Sequence, residues 1–172
     1  MPITIKKCTI SDLDELLWIS ETTFYEAFVS KNTEEAMSSY MKQAFNLQQL
    51  KSELENQESA FYFAYHTGKL SGYFKISTGN AQVEKYSEKT IELARIYVIK
   101  EFRNLKIGEQ MLQKAIVMGE AINAEFIWLG VWDRNPEAIR FYERHGFAKY
   151  GQHPFIMGKE EQTDLLYRRY LK

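Results

Sequence analysis

From Thr90 to Leu112 the chain reads TIELARIYVIKEFRNLKIGEQML, an alternating strand that passes through a basic loop into a helix beginning near Gly108. Strict alternation sets Leu93, Arg95 and Tyr97 on one face of that strand and Glu92, Ala94, Ile96 and Val98 on the other. The helix carries Met111, Leu112, Ala115, Ile116, Met118 and Ile122 at helical spacing, and the apolar strand FIWLGVW, residues 126–132, follows. Strand, helix, strand in that order demands parallel pairing. From residue 95 to 114 five cations, Arg95, Lys100, Arg103, Lys106 and Lys114, stand against Glu101 and Glu109, with Arg103 and Lys106 in the loop itself. A helix N-terminus with unpaired amides, next to Arg103 and Lys106, suits an anionic phosphate group. The loop has no Gly-Lys-Ser/Thr and only one glycine, so it is neither a Walker loop nor a dinucleotide fingerprint.

Downstream, GVWDRNPEAIRFYERHGF (130–147) opens a second helix with Asn135 as cap and Pro136 in the first turn, and His145-Gly146 closes it. Phe141 and Tyr142 are 100° apart on that helix, so the expectation is one ring packed and one facing a cleft. Upstream, ITIKKCTI is a short strand, and Leu13, Leu16, Leu17, Ser20, Phe24, Ala27 and Phe28 mark an amphipathic helix with Ser11 as its expected cap. Two more helices are expected in 32–57, capped by Asn32 or Thr33 and by Asn46. AFYFAYHTGKLSGYFKIS then reads as a hairpin turning at His66-Thr67-Gly68-Lys69, and two strands, Phe147–Tyr150 and Thr163–Leu171, end the chain. The order β-α-α-α-β-β-β-α-β-α-β-β predicts an α/β chain with a mixed sheet in a single domain, residues 1–172.

Composition narrows the function. Among 172 residues, 22 Lys and Arg balance 23 Asp and Glu, which disfavours a nucleic-acid partner. One cysteine, Cys8, excludes an internal disulfide, and as a strand residue far from the motifs it is read as a small buried apolar group. His66, His145 and His153 show no ligand spacing, so no metal is expected, and they are read as turn or surface residues. Trp128 and Trp132 share a strand face and are read as packing. No run approaches the ~18 apolar residues of a membrane span, and the acidic amino terminus lacks a secretory pattern, so a cytoplasmic protein without a membrane partner is expected.

The two motif stretches, ARIYVIKEFRNLKIGEQML and WLGVWDRNPEAIRFYERHGF, resemble the acetyl-CoA-binding and acid-bearing motifs of the GNAT acetyltransferases, and the likeness extends over essentially the whole chain. The stretches ETTFYEAF, AFNLQQLKSEL and PFIMGKEEQTDLLYRRYL are similar to the PaiA subgroup, which acetylates spermidine and spermine. The resemblance implies a GNAT fold whose two central strands splay apart, flanked by helices, with acetyl-CoA as cosubstrate. Its pantetheine would pair with strand backbone at Ile96, Tyr97 and Val98, its pyrophosphate with the loop Arg103, Asn104, Lys106, Ile107, Gly108 and Glu109, and its pantetheine side with Asn135. Tyr142 would face the sulfur as general acid, since a phenol near pKa 10 can protonate a leaving thiolate, and the Val98 amide would hold the oxyanion.

The chain departs from the family pattern twice. Lys106 occupies the first glycine position of the usual Q/R-x-x-G-x-G/A loop, and Ala94 replaces the second acid of an E-x-E-R-I-Y strand. That leaves Glu92 as the general base or amine anchor. An acidic run on residues 11–40, with only Lys31 against seven carboxylates, favours a cationic acceptor, with Tyr25 and Glu26 as its contacts. The expected reaction is acetyl transfer to a primary amine, a polyamine first. A protein N-terminus or lysine, another small amine, and a CoA-binding regulator without turnover are the alternatives, and a homodimer is compatible with the reading.

Overall fold

The computed structural model describes residues 2–172. In chain order the elements are β1 (Thr4–Lys7), α1 (Leu13–Phe28), α2 (Glu34–Ala44), α3 (Leu47–Glu55), β2 (Ser59–His66), β3 (Lys69–Thr78), β4 (Thr90–Val98), α4 (Ile107–Ala121), β5 (Phe126–Trp132), α5 (Pro136–Arg144), β6 (Ala148–Met157) and β7 (Glu160–Tyr170). They build one seven-stranded sheet ordered β1-β2-β3-β4-β5-β7-β6. Only the β4–β5 pair, joined through α4, is parallel. The mixed sheet expected from the alternation of strands and helices is therefore the one observed.

Each face of the sheet has its own core. On one, Phe74, Ile91, Leu93, Met111, Leu112, Ile127 and Tyr142 pack α4 and α5 onto the central strands. On the other, Leu16, Ile19, Leu50, Phe61, Phe63 and Tyr73 bury α1 and α3. A third cluster, Phe24, Met37, Phe45 and Met157, fastens α2 to the end of β6. Most of the aromatic surplus is spent here, because rings of this size fill the space between a twisted sheet and its helices. Among the described residues no helix is long and apolar enough to cross a membrane.

Local corrections follow from side-chain chemistry. A 3-10 turn at Ile10–Asp12 precedes α1, and the capping box is formed by Thr9 with Asp12, not by Ser11, whose hydroxyl bonds that of Thr9. Thr33 caps α2 by accepting from the Ala36 amide, while Asn32 turns back to the Phe28 carbonyl. Asn46 caps α3 as expected. The turn of the β2–β3 hairpin uses Thr67 and Gly68, both at positive φ. The penultimate strand is longer than its sequence advertises: β6 continues to Met157 through Gly151 and Pro154, and β7 begins at Glu160. As the sheet's edge, β6 can hold a proline without losing a central ladder bond.

The most consequential correction lies in β4. Lys75 pairs with Arg95 and Ile76 with Leu93, so Ala94 is an extra residue opposite no partner, a β-bulge. The bulge reverses the parity of the strand. Leu93 shares its face with Ile96 and Val98 in the α4 core, and Glu92 falls on the side of Arg95 and Tyr97, contrary to strict alternation.

Candidate active site

Beyond the bulge, β4 and β5 part. Their ladder covers only Thr90–Glu92 against Phe126–Trp128, whereas β4 stays paired with β3 to Val98 and β5 with β7 to Trp132. The edge of β4 from Leu93 to Val98 therefore faces an opening instead of a neighbouring strand. A cavity of about 510 Å³ occupies it, walled by Ile96, Tyr97 and Val98 on one side and by Val131, Trp132 and Tyr142 on the other.

At one end of this cavity stands the start of α4. Its first backbone hydrogen bond runs from Gln110 N–H to the Lys106 carbonyl, so the amides of Ile107, Gly108 and Glu109 have no helical acceptor. Arg103 and Gly108 line the cavity; the Ile107 side chain is buried, Lys106 and Glu109 are solvent-exposed, and Asn104 and Lys106 both take left-handed backbone conformations. A Cβ on Gly108 would approach no atom closer than 3.8 Å, so the protein does not require glycine for its own packing. The glycine instead leaves the helix amides uncovered toward the cavity. Lys106, at φ 61° and ψ 24°, holds the cap position of α4 in a region that costs a side-chain-bearing residue about 1–2 kcal/mol. Lys106→Gly is expected to raise stability by about 1 kcal/mol in urea unfolding, with part of the relief offset by glycine's chain entropy.

Asn135 lies at the start of α5 and on the cavity wall. Its side-chain oxygen accepts from the Ala138 amide at 3.2 Å, which leaves the Nδ2 hydrogens available to a ligand. The two duties separate by mutation. Asn135→Ala is expected to cost about 1 kcal/mol in unfolding experiments. Asn135→Asp keeps the cap and should hold stability while removing the Nδ2 donor from the cavity wall.

Phe141 and Tyr142 both reach the cavity, their rings edge to face with centroids 5.3 Å apart, where one ring alone was expected. Phe141 fills the space toward Gly108, and Tyr142 is buried to 8 % exposure. The Tyr142 hydroxyl has no hydrogen-bond partner among the described residues, and burial alone pushes its pKa above the usual phenol value. It stays protonated at neutral pH.

Glu92 is separate from these groups. It lines a second cavity, about 490 Å³, on the opposite face of the sheet. The two cavities share Ala94, Arg95 and Gly130, so they meet through the gap between β4 and β5. Glu92 is 6 % exposed, accepts from the Val83 amide at 3.1 Å, and is held above the usual carboxylate pKa chiefly by burial. Of the two expected acceptor contacts, Glu26 lines the first cavity with its carboxylate bonded to the Lys100 amide at 3.0 Å. Tyr25 belongs to neither cavity and lies in a groove between α1 and α2. Sequence reasoning missed Gly130 and Trp132 on the first cavity and Glu84, His153 and Asp164 on the second. The glycine inside FIWLGVW was a readable signal of close approach; His153, on β6 and not in a turn, had none. Cys8 is buried with its thiol pushed up to about 12, a chemically quiet packing residue.

Residues 13–147 match the model of the acetyltransferase (GNAT) family. The chain belongs to the GNAT family. An uncharacterized N-acetyltransferase in the pepI 3′ region of Lactobacillus delbrueckii subsp. lactis is 32 % identical over 169 residues, covering 98 % of each chain. A spermidine N(1)-acetyltransferase of Thermoplasma acidophilum is 24 % identical over 151 residues, covering 86 % of this chain and 89 % of its own. Among solved structures, the PaiA N-acetyltransferase of Thermoplasma acidophilum in complex with coenzyme A superposes with a TM-score of 0.79 at 21 % identity over 99 % of both chains. At that identity the likeness concerns the GNAT fold itself.

Proposed function

We propose that this GNAT protein transfers the acetyl group of acetyl-CoA to a primary amine, with a polyamine such as spermidine or spermine as the leading acceptor. The observation that carries the reading is Tyr142: a protonated phenol with no hydrogen-bond partner among the described residues, inside a cleft bordered by free strand backbone and leading to the uncovered amides of a helix N-terminus. The first cavity fits an extended pantetheine beside Ile96, Tyr97 and Val98, with Arg103, the Asn104–Lys106 turn and the amides of Ile107, Gly108 and Glu109 around the pyrophosphate, and Asn135 Nδ2 on the pantetheine side. Acetyl-CoA supplies an activated thioester.

The chain's own groups manage the protons and the charge. Glu92 takes the proton of the incoming ammonium through water, so that a neutral amine can attack the carbonyl carbon. The Val98 amide stabilises the oxyanion that develops. As the carbon–sulfur bond breaks and the new amide bond remains, Tyr142 gives its proton to the leaving thiolate, and the attacking nitrogen sheds its extra proton to solvent, from which the phenolate is re-protonated.

The acceptor assignment draws support from three carboxylates on the wall of the second cavity, Glu84, Glu92 and Asp164, and from the spermidine-acetylating relative. Purified protein with acetyl-CoA and spermidine or spermine should release free thiol from neutral to mildly alkaline pH. Release with a peptide amine and none with polyamines would move the acceptor to protein amino groups. Acetyl-CoA binding by calorimetry with no transfer to any amine would make the protein a sensor instead of an enzyme.

A further inference from the structure

We propose that Asp164 and Glu84, one at each ring nitrogen of His153, form a subsite in the second cavity that selects an acceptor amine carrying a second protonated nitrogen. This rests on the acetyltransferase reading of the first cavity and adds the residues that choose among amines. Gly130 marks the passage between the cavities. A Cβ built on it would lie 3.3 Å from Asp164 Oδ2 and 3.5 Å from His153 Nε2, so Asp164 stands beside the opening through which a nucleophile must reach the thioester. Glu84 lies at the outer rim, its side chain 39 % exposed, with Oε2 at 3.0 Å from His153 Nδ1. The opposite ring nitrogen is 3.7 Å from Asp164 Oδ2, too long for a hydrogen bond.

The imidazole therefore spaces two carboxylates along the cavity wall. Because they address opposite edges of the ring, they do not converge on one ion; among the described residues no group of three His, Cys, Asp or Glu side chains could hold a metal. Spaced acids fit an organic chain with separated charges.

A second observation, independent of that pair, points into the same space. Glu92 is nine-tenths buried and lines the cavity, with the Val83 amide as its one hydrogen-bond donor among the described residues. The remaining oxygen is left to a ligand or water. The cavity's Lys75 and Arg95 make their direct ion pairs with Glu53 on α3, at 2.8 and 3.3 Å, and Lys75 and His153 act on Glu92 only across a distance. Burial raises the pKa of both Glu92 and Asp164, so an incoming cation would relieve two costly charges at once.

The test compares spermidine with n-butylamine, which has one nitrogen, as acceptors for the wild type, Glu84→Gln and Asp164→Asn. Each variant should lower kcat/KM for spermidine about tenfold, the loss of a single hydrogen bond to a charged group, and leave that for butylamine within twofold. For Glu84→Gln the loss should lie in KM, with kcat unchanged. Glu84 is exposed enough that its variant should keep the wild-type melting curve. Equal losses for both amines, or no loss for either, would overturn the subsite while transfer itself persists. If no amine is acetylated, the enzymatic reading falls, and titration of spermidine into the CoA-loaded protein still decides the subsite: tenfold weaker binding by Glu84→Gln upholds it, and unchanged binding or none by the wild type removes it.

Discussion

Tyr142→Phe is expected to lower kcat by about a hundredfold or more, with the KM for acetyl-CoA within about twofold of wild type. General acid catalysis contributes roughly 10²–10⁴ in rate, and the substitution removes the donor while retaining the ring that packs against Phe141 and Phe147. The hydroxyl makes no hydrogen bond among the described residues, so no protein partner is orphaned by its loss. Stability should therefore hold or rise slightly. Thiol release at saturating acceptor, beside a thermal melt, separates a chemical role from a packing one. Full rate in the variant would leave the departing thiolate to solvent and remove Tyr142 from the mechanism.

Glu92→Gln should show the opposite pairing of losses and gains: kcat/KM falls by about a hundredfold while the melting temperature at neutral pH rises. Glutamine still accepts from the Val83 amide but takes no proton from an ammonium. The stability change follows from linkage. Because burial raises the Glu92 pKa in the folded state, the fold holds that proton more tightly than the unfolded chain does. No penalty exists below the ordinary carboxylate value. It grows as pH rises from there through the raised value, and it is fully present above it. The variant's advantage in melting temperature should accordingly vanish on acidification. The acidic limb of the wild-type kcat/KM profile should lie above the ordinary carboxylate range and be absent from the variant. A variant less stable than wild type at neutral pH would contradict the assigned cause of the shift.

Both changes act at groups that face a cavity and have few protein partners: among the described residues the Tyr142 hydroxyl has no hydrogen bond and the Glu92 carboxylate has one.

The two groups differ in how they could be found. Tyr142 was legible because its motif is local: strand end, Asn135 cap, Pro136 and one helical turn place the ring by covalent geometry, and only its neighbour Phe141 was misjudged in also reaching the cleft. Glu92 was legible as a residue type at the right strand and was placed on the wrong face. The reason is Ala94, whose bulge adds one residue to β4 and turns the remaining positions over. A period of two has no means of announcing such an insertion from one strand, since it exists only relative to β3.

The same division runs through the whole protein. Helix caps at Asn46 and Asn135, the Thr67-Gly68 turn and the strand–helix–strand order were determined by the sequence alone, because each depends on bonds and torsions within a few residues. The splay of β4 from β5, the passage at Gly130, and the meeting of Glu84, His153 and Asp164 were decided only in the tertiary structure. Glu84 precedes β4, His153 lies on edge strand β6 and Asp164 on β7, so their approach follows from the β5-β7-β6 order of the sheet. Pairing between distant strands depends on how the whole sheet buries its two faces, and no local period records it.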